Sequence, residues 1–390
     1  RDGEQTPGVA LTVDEKMQIA QKLNNLGVDK IEVGFPASSK GEIESAKRIN
    51  SLSLDSTLVG LARSLERDID AVIESDLDYV HTFIGTSPLH RDYKLKMSKQ
   101  AIIETAVNAV EYAKDHGLTV EFSAEDATRT EEDFLFEIFN EVVDAGADFL
   151  DVPDTVGILT PIMTRDLITN IKNNFTTPIS VHFHNDFGLA VANTLSALKG
   201  GVSEIHTTIN GIGERAGNTS FEECVVSIDR LLPQFDTNIK INEIYDISKL
   251  VARLTGVYIQ PNKAIVGENA FSHESGIHSD GIIKNSATYE SITPELVGRK
   301  RKFVIGKHMG TKGLNNKLKE LGMNVDEDQL HQICDNIKVL ADKGKTVTDV
   351  DLQVIADNVL EVNHEDRISL DEVTIVSGNK VMPTASVKIT

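Results

Sequence analysis

At 390 residues the chain is long enough for one large domain plus appendages, and 40% apolar residues allow a sizeable core. A net charge of −21 and the absence of tryptophan argue against general nucleic-acid or anionic-membrane binding and against base-stacking surfaces. No apolar run approaches a membrane span, no signal-peptide pattern opens the sequence, and two distant cysteines, Cys224 and Cys334, make no disulfide framework, which suits a reducing, cytoplasmic setting.

Arg1-Asp2-Gly3-Glu4-Gln5 starts without Met and without a preceding strand, so an upstream segment is expected. Thr12-Val13-Asp14-Glu15 reads as the cap and first turn of a helix reaching residue 26. A rhythm then begins. Strands are predicted at 30–35, 57–63, 79–85, 119–126, 149–154, 179–186 and 204–211. Helical stretches are predicted at 40–52, 65–75, 98–116, 131–145, 162–174, 189–198 and 221–232. Alternating strand and helix implies an α/β fold with parallel strands and right-handed crossovers. An eighth strand, placed before Arg1, would close a (β/α)8 TIM barrel. An open doubly wound sheet is the alternative. Polar residues at the strand ends of nearly every unit favour the barrel, because barrel enzymes carry their chemistry there.

The sixth predicted strand ends in His182-Phe183-His184-Asn185-Asp186. Successive side chains of a strand point to opposite faces, so His182 and His184 project together. Two imidazoles on one face are half of a divalent metal site, a reading favoured here over a pair of hydrogen-bonded core histidines. The same parity pairs Ser123 with Glu125 and Pro153 with Thr155, while His81 and Arg63 sit near two earlier strand ends. Thr155 capping a turn and Arg63 pairing on the surface are the bland alternatives. Together these residues read as one polar ring around a barrel mouth. Asp2, just past the inferred first strand, reaches that mouth as the oxygen ligand, with Arg1 beside it as a fixed cation for the substrate.

Asn210-Gly211-Ile212-Gly213-Glu214-Arg215-Ala216-Gly217-Asn218 follows the last strand. Its glycine spacing is wrong for a dinucleotide fingerprint. A close turn with amides at a helix start remains, suited to a phosphate, and Asn218 offers the metal a carbonyl oxygen. After Pro233 the rhythm stops. Helices are predicted at 242–254, 315–321, 326–343 and 349–362, and a hairpin at 373–376 and 385–389 around Ser377-Gly378-Asn379. An isolated hairpin is marginal, so a further C-terminal domain is expected. Between these lie Phe271-Ser272-His273-Glu274-Ser275-Gly276-Ile277-His278, then Tyr289, then the dense basic run Arg299-Lys300-Arg301-Lys302. That run reads either as a solvated face or as a contact for a phosphate-bearing ligand.

Arg1-Asp2-Gly3-Glu4-Gln5 with Lys16, His182-Phe183-His184-Asn185-Asp186-Phe187-Gly188, residues 210–218 and Gly276-Ile277-His278 together resemble the 2-isopropylmalate, citramalate and homocitrate synthase family, across essentially the whole chain. The resemblance implies a TIM barrel over 1–233 and a linker with an active-site-covering subdomain over 234–300. It also implies a helical subdomain over 301–365 and the start of a regulatory domain over 366–390. Leucine feedback, where the full protein has it, is then expected to be absent from this stretch.

The implied activity is a metal-dependent Claisen-type condensation of acetyl-CoA with a 2-oxo acid, by an intertwined homodimer. Carried over, Asp2, His182, His184 and Asn218 hold the cation (Mn²⁺, Mg²⁺ or Zn²⁺), which the 2-oxo acid chelates. Arg1 stabilises the developing alkoxide, and Thr155 and His81 hold and position the acid, beside Pro153. His278 paired with Glu125 removes the acetyl methyl proton, assisted by Tyr289. Apart from the resemblance, Asn210, Gly211 and Gly213, with Arg299 and Arg301, are expected to meet the CoA phosphates. Gly34-Phe35-Pro36-Ala37, His81-Thr82-Phe83-Ile84 and Val152-Pro153-Asp154-Thr155 resemble the 2-isopropylmalate synthases, and Asp2 rather than Glu argues against homocitrate synthesis. Ser123 is small and leaves room for 2-oxoisovalerate, which points to the first committed step of leucine biosynthesis. Pyruvate, giving (R)-citramalate, differs by only one or two methyl groups. A metal-dependent acyl-CoA lyase or aldolase is the other reading of the same barrel.

Overall fold

The computed structural model describes all residues other than 275–280, 283, 304, 307, 308, 363–368 and 380. They form two compact units, Arg1–Ala270 with Thr293–Lys300, and Phe271–Ile292 with Arg301–Thr390.

The first unit follows the predicted rhythm. Helix α1 (Val13–Leu26) begins in a reciprocal capping box between Thr12 and Glu15 and ends at Gly27. Strands β1 (Lys30–Gly34), β2 (Thr57–Arg63), β3 (Tyr79–Gly85), β4 (Thr119–Glu125), β5 (Phe149–Asp154), β6 (Ile179–Phe183) and β7 (Glu204–His206) lie in sequence order in one sheet. Every neighbouring pair is parallel. Helices α2 (Lys40–Asn50), α3 (Glu66–Glu74), α4 (Lys99–Asp115), α5 (Glu132–Asp144), α6 (Pro161–Asn174) and α7 (Ala190–Gly200) make the crossovers; α8 (Phe221–Leu231) and α9 (Ile244–Thr255) follow β7. Helix α9 packs on α1, so the first unit runs past the end of the rhythm at Leu232.

Alternate residues divide the sheet into two faces. Val80, Val120, Phe122, Leu150, Val152, Ile179 and Val181 are buried in one apolar cluster with Ile69, Ile102, Phe134, Ile138 and Ile168 of the surrounding helices. The other face carries His81, Glu121, Ser123, Asp151, Ser180 and His182. The sheet curls around this polar face: Lys30 of β1 ion-pairs with Glu204 of β7, and the His81 and His206 rings are 5.5 Å apart. Among the described residues no ladder joins β1 to β7. A cleft of about 580 Å³ lies there, lined by Ile31, Val33, Ile205 and Val225 and reaching Asp2 and His182.

Two strands are shorter than predicted by three or more residues. β7 stops at His206 because Ile209–Gly211 turns as a 3-10 segment with Asn210 at φ 64°. β6 stops at Phe183, and His184 forms an isolated bridge with Asn218 instead of continuing the ladder.

In the second unit, β8 (Ser272–His273) pairs with β9 (Lys302–Phe303). Helices α10 (Thr311–Glu320), α11 (Glu327–Asp342) and α12 (Asp349–Val359) enclose a separate core of Leu314, Leu318, Ile333, Cys334, Ile337 and Leu352. Strands β10 (Leu370–Gly378) and β11 (Val381–Ile389) make the predicted antiparallel hairpin, exposed along both strands. Both cysteines are buried and unpaired. Among the described residues no helix is long and apolar enough to cross a membrane.

Candidate active site

The C-terminal ends of the strands bring Asp2, His182, His184 and Asn218 together. Asp2 stands in a short 3-10 turn, Asp2–Gln5, that delivers its side chain to His182. Its Oδ2 is 3.3 Å from His182 Nε2, which is 3.3 Å from His184 Nε2. Asn218 arrives through the bridge to His184, and its Nδ2 donates to Ile212 O at 3.1 Å. That bond leaves the Asn218 Oδ1 acceptor free. Asp2 Oδ2, His184 Nδ1 and Asn218 Oδ1 are buried with no hydrogen-bond partner. Buried acceptors are rarely left so.

Donor atoms of Asp2, His182 and His184 lie within 4.8 Å of one another. Two imidazoles, a carboxylate and an amide oxygen form a mixed nitrogen–oxygen set that suits a divalent cation. The electrostatics agree. Burial and the neighbouring His182 push His184 down to about 4, so its ring is neutral and ready to ligate. Burial favours the neutral form of Asp2, but the nearby His182 and the Arg1 charge outweigh it and hold the carboxyl below its usual range. The residues present therefore fit a divalent metal.

The glycines of the 210–218 turn serve this approach. A Cβ on Gly213 would lie 2.1 Å from Asn218 Nδ2, and one on Gly217, at φ 87°, would lie 1.9 Å from Gly211 O. The Asn210 N–H donates to Glu222 at 2.9 Å, and its side chain exchanges hydrogen bonds with Ser248. Asn210, Gly211 and Gly213 are thus committed to shaping the loop that carries Asn218.

Arg1 is mostly covered beside these four residues. Its Nη1 donates to Asp2 Oδ1 at 3.1 Å and its Nε to Glu32 Oε2 at 2.6 Å. Glu32 in turn meets His81 Nδ1 at 2.7 Å. Burial disfavours the charged form of His81, but Glu121, Asp151 and Glu32 push it up to about 9, so it is cationic at neutral pH. Ser123 donates to Asp151 at 2.6 Å. Pro153 pairs in register with His182. Thr155 Oγ1 accepts the Asp126 N–H at 3.0 Å, so its own proton remains available to a substrate oxygen. All of these groups sit within one barrel mouth.

Other sequence-predicted residues are placed differently. Arg63 turns out of the ring into a two-pronged pair with Asp68, at 2.6 and 3.0 Å, because α3 begins directly after β2. Glu125 receives Lys94 Nζ at 2.6 and 2.7 Å and lies 3.4 Å from His90 Nδ1. Burial raises its pKa, but these two groups outweigh burial and keep the carboxylate ionised. Its expected partner His278 lies outside the described residues. Tyr289, in the second unit, is half exposed with its ring against Gly281. Arg299 donates to the carbonyls of Gly267 and Glu268 and stacks over Tyr245. Arg301 forms a two-pronged pair with Glu290 at 2.7 and 2.6 Å.

Sequence reading missed Glu32, Glu121, Asp151 and His206. His206 meets Glu121 at 3.1 Å beneath the mouth, and Glu121 also accepts from Ser180 and Tyr79. The signal was present: Glu121 shares parity with Ser123, and Asp151 with Pro153.

Comparison with known proteins shows the family. A family model described as HMGL-like matches residues 1–251, and one described as homocitrate synthase post-HMGL domain-like matches residues 265–345. The 2-isopropylmalate synthase of Methanocaldococcus jannaschii is 54% identical over all of this chain and 76% of its own length. The (R)-citramalate synthase of the same organism is 51% identical over all of this chain and 79% of its own length. Among solved structures, hydroxymethylglutaryl-CoA lyase from Pseudomonas aeruginosa, 22% identical, superposes with a TM-score of 0.59 over 66% of this chain and 91% of that one, which shows a shared barrel fold. The chain belongs to the HMGL-like family, in the branch that holds the 2-isopropylmalate and (R)-citramalate synthases, and is an acyltransferase of that branch.

Proposed function

We propose that this protein condenses the acetyl group of acetyl-CoA with 2-oxoisovalerate to give 2-isopropylmalate and free CoA, the entry step to leucine. The observation that carries the reading is the convergence of Asp2, His182, His184 and Asn218 beside Arg1. A divalent cation held by those four residues supplies Lewis-acid polarisation of the acceptor ketone.

The chain's own residues do the rest. Thr155 donates its free hydroxyl proton to the acceptor carboxylate, and cationic His81 orients the carbonyl. His278 takes a methyl proton from acetyl-CoA, and ionised Glu125 stabilises the resulting imidazolium, with Tyr289 assisting. The enolate carbon bonds to the ketone carbon, and charge developing on the ketone oxygen faces the Arg1 guanidinium until that oxygen is protonated. Water then cleaves the thioester, leaving a carboxylate and the CoA thiol.

Pyruvate as acceptor, giving (R)-citramalate, is the second reading. It is favoured by the near-equal identity to the two Methanocaldococcus jannaschii enzymes. Ser123 supports the larger acceptor, because its short side chain is drawn onto Asp151. Thiol release from acetyl-CoA in the presence of Mg²⁺ or Mn²⁺, with 2-oxoisovalerate, pyruvate and 2-oxoglutarate in parallel, tests the choice. Fastest release with 2-oxoisovalerate, abolished in His182→Ala, supports the proposal. A preference for pyruvate moves the product to citramalate, and no release with any acid leaves a lyase on this barrel. The enzyme acts as a homodimer in this reading, supported by the exposed Tyr93, Ile162 and Phe187 on segments that follow β3, β5 and β6. Light scattering reporting a monomer would remove that part.

A further inference from the structure

Arg215 lies in the loop that carries Asn218, yet its side chain leaves that loop. Nε donates to Asp186 Oδ1 at 2.8 Å and Nη2 to Asp186 Oδ2 at 3.0 Å. The same Nη2 also donates to the backbone carbonyl of Thr155 at 2.7 Å. One planar guanidinium thereby joins three segments. Thr155 follows β5, Asp186 stands two residues past His184 after β6, and Arg215 itself stands three residues before Asn218 after β7.

Three further observations show that the junction is tightly specified. Arg215 holds a left-handed backbone, φ 55°, which a non-glycine residue adopts only under constraint. Gly157, also left-handed at φ 64°, presses the β5 loop onto the β6 loop. A Cβ there would lie 2.8 Å from His184 O and 3.0 Å from Asp186 Oδ2. The backbone completes the lock: Asn185 N donates to Gly217 O at 2.9 Å and His184 N to Asp154 O at 3.3 Å. An exposed ion pair alone would carry little. A two-pronged pair that also takes a backbone carbonyl from a third strand's loop fixes geometry.

We infer that Arg215 is a positioning residue that locks the acceptor-binding loop of Thr155 to the metal-ligand loops of His184 and Asn218, so that metal and 2-oxo acid are bound in register. The inference rests on the proposed function for the acceptor, but its metal arm does not depend on turnover. The guanidinium acts through shape rather than charge alone, since an ammonium cannot reproduce the fork.

The test is calorimetric titration of the metal-free protein with Mn²⁺, together with steady-state kinetics, for Arg215→Ala, Arg215→Lys, Asp186→Asn and the double variant Asp186→Asn/Arg215→Ala. Asp186→Asn keeps the side-chain shape and guards against loss through misfolding. Expected is a Mn²⁺ Kd weakened by about tenfold in Arg215→Ala and in Asp186→Asn, the size usual for groups that orient metal ligands. The KM for the 2-oxo acid should rise more than that for acetyl-CoA. Arg215→Lys should recover only part of the loss, and the double variant should be no worse than Arg215→Ala. Unchanged Mn²⁺ affinity in Arg215→Ala, with His182→Ala still abolishing binding, overturns the inference. A silent Asp186→Asn beside a damaging Arg215→Ala, or full recovery by Lys, also overturns it, by making the cation a direct substrate contact. If His182→Ala leaves Mn²⁺ binding intact, the reading of the metal site itself fails.

Discussion

The two faces of the seven-stranded sheet come from alternate residues of the same strands, yet they are built on opposite principles. On the helix side, Phe122 and its neighbours are fully buried hydrocarbon, interdigitated with apolar helix faces. On the inner side, buried His81, Glu121 and Asp151 and half-buried Glu32 and His206 are ionisable groups that balance one another, and Asp2, His182, His184 and Asn218 stand above them. Burying such groups is costly unless each is paired. The inner face therefore draws its stability from the outer one and carries the chemistry, and a substitution should show which face it struck by what it changes.

The largest effect is expected at the top of the inner face. His182→Ala should lower kcat by roughly a thousandfold, the scale of a lost electrostatic stabiliser, and abolish Mn²⁺ binding by calorimetry, while the urea midpoint stays near wild type. A large stability loss there would blur the division between the faces. Phe122→Ala should do the converse. Phe122 packs edge-to-face on Phe139, with ring centroids 6.5 Å apart. Truncation should cost ~3–5 kcal/mol in urea unfolding and leave both KM values unchanged in the folded fraction.

A smaller effect is expected from pH. Folding raises His81 from its ordinary value to about 9, because Glu121, Asp151 and Glu32 outweigh burial. Its contribution to stability is full below about pH 6.5 and is lost as pH rises through about 9. Melting temperatures measured across that window should fall in wild type and fall less in His81→Gln. An equal decline in both would assign the pH dependence elsewhere. The smallest effect is expected at Arg63, whose half-exposed side chain pairs with Asp68 away from the mouth. Arg63→Gln should change stability by at most about 1 kcal/mol and leave kinetics untouched. A raised KM for the 2-oxo acid would return Arg63 to the ring.

What the sequence by itself determined is what depends on local period and spacing. Alternating apolar strands and amphipathic helices specify parallel βα units, since each pattern buries one face only in that arrangement. The Thr12–Glu15 cap, the terminal hairpin and the His182/His184 pair are likewise local, and so were legible. Asp2 and Asn218 were legible as neighbours of that pair from their places beside the inferred first strand and at the end of the 210–218 turn. Only the tertiary structure decided where each charge is spent. Arg63, Arg299 and Arg301 look available in the sequence but are bound to Asp68, to the Gly267 and Glu268 carbonyls, and to Glu290. Lys94 and His90 reach Glu125, Glu32 and Glu121 face histidines of other strands, and Arg215 spans three loops. A side chain's partner comes from whichever strand the sheet's curvature brings opposite, and curvature is a property of the whole sheet, not of any one segment.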